Sequence, residues 1–426
     1  MPAASKIAAN RAKGRRSGVQ QRPLPLRLGE LLLLYIFIAL LAGRFTLSRL
    51  SEDASSQGFD LRFIFVTIGF FAFMIWISGA REYTPSRTTS VQQIPFVLWA
   101  LWLGFSATWA PQGARVSEVL LDLGFLLTLT LLGWAVMAHL PGSSLERVWT
   151  WLVVTGLIYF ALAIASGPDI QGRYAAPGGG PNTFVRIMVV AAVAALYLAV
   201  VKNKSYVLAS VPLFAVGAAL SGSRGGLLSA AIVLVIFLIP ISKRLGAKCA
   251  TGLIGLLAIG SWAASFWRDG YLIDFVQRRF IQETLVEGYS SGRDVITDQA
   301  WEMFFEHPIL GVGLDGFWPL QVSGAVAYEH PHNLVVATLA EAGLVGGLLL
   351  LLAIIIPFLF SLSRDMNPTP LFALVVALYF LFTAMFSGDY YDSRFMWFFF
   401  GIAVASSHRA KESDARFGEH GQLMRT

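Results

Sequence analysis

The sequence predicts an all-α, polytopic integral membrane protein with about twelve transmembrane helices. Hydrophobic residues make up 56% of its 426 residues and charged residues only 14%, whereas a soluble domain averages about 25% charged residues. The mean hydropathy is +0.63, and several apolar runs reach the roughly 20 residues that a helix needs to cross a bilayer. Composition and run length together exclude an ordinary soluble domain.

The apolar runs place the helices in order along the chain. Helices are predicted at 28–47, 63–80, 94–109, 117–139, 148–166, 183–201, 205–221, 225–241, 248–266, 343–361, 370–387 and 394–407. The chain then divides into a basic tail at 1–27, nine helices within 28–266, a large loop segment at 267–342, three helices within 343–407 and a second tail at 408–426. No internal repeat divides the helices into two similar halves.

Basic residues predict the orientation of these helices, because cytoplasmic loops carry an excess of lysine and arginine. The N-terminal tail is basic, and we expect it to be cytoplasmic and followed by a retained first helix rather than a cleaved signal peptide. Every second turn then falls on the same side, and these turns and the C-terminal tail hold Arg81, Arg87, Arg147, Lys202, Lys204, Lys243, Arg244, Lys248, Arg364, Arg409 and Lys411. Both termini are therefore predicted to be cytoplasmic.

The net charge of +6 is attributed to these basic loops and to an anionic lipid substrate. A nucleic-acid partner is not predicted, because no nucleic-acid motif is present. The single cysteine, Cys249, excludes an intramolecular disulfide and a multi-cysteine metal site. The carboxylates of the outer loops show no metal-ligand spacing, so neither a metal nor another cofactor is predicted.

The longest connection, 267–342, is predicted to form a small helical segment on the outer, periplasmic face, because long loops in compact proteins are usually functional. Glycines, serines, arginines and histidines gather on that face. They are Gly172-Arg173, Gly178 to Asn182, Ser221 to Gly226, Ser291 to Asp294, His307 to Gly313, and His330 to Asn333 with Gly343 to Gly346 downstream.

Three arginines, Arg173, Arg224 and Arg293, are therefore expected at one membrane surface beside glycines and serines. Arg186 lies about a turn inside its predicted helix, where a charged side chain usually faces a polar cavity. Glycine lets backbone N–H groups approach an anion, and the planar guanidinium group binds two phosphate oxygens at once. The pattern predicts a site for a lipid-linked diphosphate.

A structural interpretation is open for several of these residues. The alternatives are an interfacial anchor for Arg173, a side chain reaching the interface for Arg186, an ion pair with Asp294 or Asp298 for Arg293, and a helix-entry role for His332. Gly311 and Gly313 are interpreted as turn formers rather than phosphate ligands.

In their order along the chain, these motifs resemble the O-antigen ligase and polymerase superfamily. The resemblance rests on Ser-x-Ser-Arg-Gly-Gly at 221–226, Ser-Gly-Arg at 291–293 with His-Pro-x-x-Gly-x-Gly at 307–313, His-Asn-x9-Gly-x-x-Gly at 332–346, and more weakly Phe-Ser-Ala-Thr-Trp at 105–109. It spans roughly residues 94–400.

This resemblance implies a metal-independent membrane glycosyltransferase of the bacterial inner (plasma) membrane. The donor would be a glycan on undecaprenyl diphosphate at the periplasmic face. Ligases transfer it to the lipid A–core of lipopolysaccharide, whereas polymerases add it to another lipid-linked repeat unit. The ligase branch is associated with Arg-x3-Leu, which Arg224 to Leu228 fits, and with the His-Asn-x9-Gly-x-x-Gly pattern. A ligase is therefore the preferred interpretation, and an O-antigen or exopolysaccharide polymerase is the alternative.

With that chemistry, Arg224 and Arg293 are expected to stabilise the diphosphate leaving group, assisted by Arg173 or Arg186, because preorganised cations stabilise developing negative charge. The remaining expected substrate contacts are Ser221, Ser223, Asn333 and His330.

An acceptor hydroxyl needs a base, and an imidazole with an ordinary pKa near 6.5 suits that task at neutral pH. His332 is the predicted general base, with His330 and Glu329 as substitutes. A single displacement would invert the anomeric configuration.

Two other classes compete with glycan transfer. A secondary transporter could have twelve helices, but transporters usually show two similar halves. A scaffold in a polysaccharide assembly complex is the other alternative.

Overall fold

The structure is a computed structural model that describes residues 24–43, 60–79, 92–176, 179–242, 271–286, 292–321, 330–362 and 368–407. Within these ranges the chain is helical, as predicted, and its only extended pairing there is an isolated bridge between Pro168 and Tyr174. The predicted helix at 248–266, residues 1–23 of the first tail, the second tail, Gly178, Cys249, Ser291 and Glu329 lie outside the described residues.

We number the main helices in chain order. They are α1 Leu24–Ala42, α2 Leu61–Gly79, α3 Ile94–Ser106, α4 Val116–His139, α5 Arg147–Ser166, α6 Pro181–Lys202, α7 Val211–Leu220, α8 Arg224–Ser242, α9 Tyr271–Val276, α10 Arg293–Glu306, α11 Leu334–Ser361, α12 Pro368–Ala384 and α13 at 394–407. Shorter helical segments occupy Ala107–Trp109, Gly142–Leu145, Ser205–Ser210, Gln277–Val286, Phe317–Leu320 and Tyr391–Ser393.

Six helical segments within the described ranges are long and apolar enough to cross a membrane: α1, α2, α4, α5 with the preceding turn, α6 and α11. The shorter apolar segments include α3, α7, α8 and α12. The protein is therefore a multi-pass membrane protein, and the count of twelve spans stays a prediction.

One helix begins earlier than predicted. The apolar run at 343–361 alone has the length of a span, but α11 starts at Leu334 and Gly343 is a kink inside it, with φ 63° and ψ −164°. The side chain of Asn333 accepts hydrogen bonds from the backbone N–H groups of Val335 and Val336, at 3.1 and 3.2 Å. This N-cap satisfies donors that a helix start leaves open, so it fixes the beginning of α11.

Polar contacts join the helices at opposite ends of the bundle. At one end, Glu30 of α1 accepts a hydrogen bond from Ser144 at 2.6 Å and pairs with Arg147 at 2.8 Å. At the other, Arg62 at the start of α2 pairs with Asp122 near the start of α4. The beginnings of α1 and α5 therefore lie opposite the beginnings of α2 and α4, as an up-and-down chain requires. We call the second end the site end.

Aromatic side chains form much of the core. The α13 helix is buried along its whole length, and the Trp397 ring lies 4.6 Å from the Phe96 ring of α3. Trp149 of α5 stacks on Tyr197 of α6 at 4.6 Å. Rings of this kind bury large apolar areas, so this packing provides a rigid base for the loops of the site end.

Candidate active site

The first part of the site is the loop between α5 and α6, which fixes Arg173. The Asp169 carboxylate accepts hydrogen bonds from the backbone N–H groups of Gln171 and Arg173, both at 2.8 Å. The Tyr174 N–H donates to the Leu220 carbonyl at the end of α7 at 3.0 Å. Arg173 Nε donates to the Ser221 carbonyl at 3.1 Å. These bonds hold Arg173 against the turn that follows α7.

That turn, Ser221 to Ser223, connects α7 to α8. Gly222 has a φ of 59°, a left-handed conformation that favours glycine. The Ser221 hydroxyl donates to the Ala218 carbonyl at 2.6 Å, and the Ser223 hydroxyl donates to the Asn182 side chain at 2.7 Å. Both hydroxyls thus shape the turn, which sets Arg224 as the first residue of α8. Their predicted substrate contacts stay predictions.

Four arginines cluster around this turn: Arg173, Arg224, Arg279 and Arg293. Burial lowers the pKa of the Arg173 guanidinium; the positive charges of Arg279, Arg293 and Arg224 lower it further, while the Asp169 carboxylate opposes them. Arg279 Nε also donates to the Gly222 carbonyl at 3.5 Å. The structure therefore brings together three predicted diphosphate ligands and adds a fourth cation. We call these four residues the arginine cluster.

Sequence reasoning missed Arg279. It lies in the Gln277–Val286 segment, beside Arg278, inside the long connection predicted to be a helical segment. The pair of basic residues was a visible signal, but the sequence does not say which side chain turns towards the bundle. In the structure Arg278 is exposed and Arg279 is partly buried.

Arg186 makes different contacts. Arg186 is only 8% exposed. Its guanidinium group donates hydrogen bonds to the carbonyls of Ser387 at 2.6 Å and Thr383 at 3.4 Å. Thr383 lies in the last turn of α12 and Ser387 just beyond its end, where a helix leaves carbonyl groups in need of donors. Arg186 therefore joins α6 to α12, and its predicted assistance to the diphosphate stays a prediction.

The second part of the site is the histidine pair before α11. The ring centroids of His330 and His332 lie 4.2 Å apart, at an interplanar angle of 67°. His332 has a left-handed φ of 57°. Asn333, predicted to touch substrate, caps α11 and so fixes the residue before it. Burial lowers the pKa of His332 to about 4, helped by His330 and Arg293. His332 is therefore a neutral imidazole at pH 7.

Arg293 connects the two parts of the site. Its charge acts on Arg173 in the arginine cluster and on His332. Asp389 and Asp392 act on His332 with the opposite sign and raise its pKa. Charges of both signs therefore act on the candidate base.

The loop at 307–313 packs against the first turns of α11. Gly311 and Gly313 have φ values of 72° and 93°, which confirms them as turn formers. The N–H groups of Val312 and Gly313 donate to the carbonyls of Ala340 and Glu341 at 2.9 Å. The loop therefore packs into the break in α11 that the kink at Gly343 creates.

A cavity of about 330 Å³ opens beside the histidine pair at the site end. Its walls include His330, Asp389 and Tyr390, residues near the starts of α2 and α4, and Glu341 of α11. Glu341 is buried and accepts a hydrogen bond from the Tyr390 hydroxyl at 2.8 Å. Sequence reasoning missed Glu341 and Asp122, although a carboxylate inside an apolar helix is a recognised signal of a functional position.

Within the described residues, no three histidine, cysteine or carboxylate side chains are arranged to hold a metal ion.

Residues 208–351 match the family model for O-antigen ligases, which confirms the resemblance to the O-antigen ligase superfamily. The matched range holds Arg224, Arg279, Arg293, the histidine pair and the kink at Gly343, while Arg173 and Arg186 precede it. A comparison with curated proteins finds no match.

Proposed function

We propose that this chain, a multi-pass membrane protein whose residues 208–351 match the family model for O-antigen ligases, is a ligase. It transfers a glycan from undecaprenyl diphosphate to the lipid A–core of lipopolysaccharide, at the periplasmic face of the bacterial inner membrane. The observation that carries this proposal is the arginine cluster joined through Arg293 to the neutral imidazole of His332.

The arginine cluster suits a diphosphate. Guanidinium groups bind phosphate oxygens with two parallel hydrogen bonds. The Asp169 carboxylate acts on Arg173 with the opposite sign to the other three arginines. As the bond between the anomeric carbon and the phosphate oxygen breaks, negative charge grows on the leaving diphosphate. Cations already fixed in place stabilise that charge without reorganisation. Arg224 and Arg293 are the proposed main ligands, and Arg173 and Arg279 complete the site.

His332 suits the acceptor side. A neutral imidazole accepts the proton of the attacking sugar hydroxyl while that oxygen bonds to the anomeric carbon. The low pKa of His332 makes it a weak base in the empty site. A bound diphosphate would offset the charge of Arg293 and raise that pKa, because nearby negative charge favours the protonated imidazole. Donor binding would therefore activate the base, and a single metal-independent displacement would invert the anomeric carbon.

A polymerase that joins undecaprenyl-linked repeat units is the second candidate function, since it uses the same donor and differs only in its acceptor. The Arg224 to Leu228 pattern and the name of the matched family favour the ligase.

The test is a gene deletion complemented by variants, with the cell's glycolipids resolved by size on a gel. Loss of all glycan-capped lipid A–core, with undecaprenyl-linked polymer accumulating, is the result expected for a ligase. Lipid A–core capped with a single repeat unit would instead identify a polymerase. An unchanged pattern would overturn both assignments.

Arg224 separates transfer from folding in the same assay. Arg224→Ala is expected to abolish complementation, and Arg224→Lys to reduce it severely, because lysine keeps the charge but loses the planar fork. Lys204→Ala removes an exposed cation after α6 and serves as the matched control. Full complementation by Arg224→Ala at normal membrane abundance would remove Arg224 from the diphosphate site.

A further inference from the structure

The cavity beside the histidine pair has a charge opposite to that of the arginine cluster. Six carboxyl side chains line it against two guanidinium side chains, and the eight are Asp60, Glu118, Asp122, Asp315, Glu341, Asp389, Arg62 and Arg115. At about 330 Å³ it falls within the range of roughly 300–1,000 Å³ typical of small-molecule sites. Among the charged side chains of its described walls, carboxyl groups therefore predominate.

Both guanidinium groups of the wall are held by carboxylates of the same wall. Arg62 donates to Asp60 at 2.8 Å and also pairs with Asp122. Arg115 pairs with Asp315 at 3.0 Å and stacks over Trp318. These pairs neutralise their own charges, so among the described residues that line the cavity both cations are already paired with carboxylates.

Other polar groups of the wall suit a ligand rich in hydroxyl groups. The Nε2 atom of His330 is buried and has no hydrogen-bond partner among the described residues. Glu118 is exposed at the start of α4, where it offers two acceptor oxygens to the cavity. Carboxylates accept hydrogen bonds and donate none when ionised, which matches the many O–H donors of a sugar.

The position of the cavity fits the second substrate of the transfer. It contains His330, whose ring contacts that of His332 at 4.2 Å. Asp389 also lines it and acts electrostatically on His332. The proposed base therefore contacts a wall residue of this cavity and interacts electrostatically with Arg293 of the arginine cluster.

We propose, resting on the proposed function, that this cavity receives the acceptor sugar and selects sugars that are uncharged or carry an amino group over sugars that carry a phosphate or carboxylate. The physical reason is repulsion, because like charges brought together at a site suppress the wrong partner. An ammonium group would instead pair with Glu118 or Asp389.

The test measures sugar binding to the full chain in nanodiscs of zwitterionic phospholipid by saturation-transfer NMR. The probes are glucose, glucosamine, glucuronate and glucose 6-phosphate, which share one ring and differ in charge. Inorganic pyrophosphate is present throughout to occupy the arginine cluster. We expect glucose and glucosamine to bind roughly tenfold more tightly than the two anionic sugars, with a shift of the His330 ring resonances.

Two variants and one control test which carboxylates produce the preference among the sugars. Glu118→Gln and Asp389→Asn should each reduce the preference for glucosamine over glucuronate several-fold. Glu306→Gln, an exposed carboxylate of α10 outside the cavity, should leave it unchanged. Equal binding of glucuronate and glucose, no binding of any probe, or an unchanged preference in both cavity variants would overturn the proposal.

Failure of this proposal and failure of the proposed function give different results. If the glycolipid gel shows loss of transfer in Arg224→Ala but the cavity shows no selection, the acceptor assignment alone is wrong. If sugars bind as expected while Arg224→Ala complements fully, transfer is wrong and the cavity is a sugar site with another use.

Discussion

Arg293, the first residue of α10, and His332, two residues before α11, interact electrostatically across the site. Burial lowers the pKa of His332 to about 4, and the charges of His330 and Arg293 contribute to that shift. Arg293 also acts on Arg173 of the arginine cluster. A substitution at Arg293 should therefore affect both the diphosphate site and the base.

Replacing Arg293 with glutamine should raise the pKa of His332, because the substitution removes a positive charge that disfavours the imidazolium. Adding pyrophosphate to the wild type should raise it as well, by offsetting the same charge. NMR titration of the imidazole resonances would measure both shifts, and single substitutions would assign the six histidines. The Arg278→Gln variant, which removes an exposed cation, is the control. An unchanged His332 pKa in both experiments would contradict the coupling.

The pH dependence of transfer follows from the same pKa. The base must be neutral, so kcat/KM should stay level from neutral pH down to about pH 5 and fall as the pH drops through about 4. The free energy of unfolding should change with pH in the same direction, since an unfolded histidine gains its proton near pH 6.5 while folded His332 stays neutral. Stability should therefore decrease between pH 6.5 and 4. An acid limb centred near 6.5 in both wild type and His330→Ala would reject His332 as the base.

Arg279 should be as important for donor binding as the predicted arginines. We expect Arg279→Gln to lower transfer about 100-fold, the scale seen when one preorganised donor to a developing anion is removed. Its neighbour Arg278 is exposed, so Arg278→Gln should stay close to wild type. Calorimetry with inorganic pyrophosphate would separate weaker binding from slower chemistry. Equal effects of the two substitutions would mean that only the net charge of the segment matters.

Arg186 should act on stability rather than on the donor. Arg186→Leu keeps much of the side-chain volume but removes the hydrogen bonds to Ser387 and Thr383. The Thr383 carbonyl still accepts hydrogen bonds from the N–H groups of Phe386 and Ser387, so the loss falls on the Ser387 carbonyl. A carbonyl left without its donor costs about 1–3 kcal/mol, so the thermal unfolding temperature in detergent should fall. Pyrophosphate binding by the folded variant should persist, in contrast to Arg224→Ala. Loss of binding with unchanged stability would return Arg186 to the diphosphate site.

Gly343 should tolerate no side chain. A Cβ there would lie 2.2 Å from the Ile309 carbonyl oxygen, and its φ is 63°. Gly343→Ala should therefore destabilise the protein by at least ~2 kcal/mol, through strain and displacement of the 307–313 loop. Gly124 of α4 has open space at its Cβ position, so Gly124→Ala should change stability by less than about 1 kcal/mol. Similar unfolding temperatures for the two variants would show that the kink is dispensable.

The helical architecture was predictable because the length of an apolar run is a local property. The predicted helices that fall on described residues are present, and Arg224 lies at the turn between two of them, beside the glycines and serines that indicated a turn. The error at α11 has a local cause too. Its first turns, with a buried glutamate and a kink at Gly343, do not read as part of the apolar span that follows.

Tertiary packing decided which side chains meet. Arg279 joins the arginine cluster and Arg278 does not, because the helical segment turns only one of two adjacent residues towards the bundle. Arg186 bonds to the end of α12 because those two helices pack together. The wall of the cavity is formed by residues of α2 and α4, by Asp315, by α11 and by the loop before α13. The sequence alone determined the helices and the residue types of the site, whereas distances between segments far apart in the chain exist only after the helices pack.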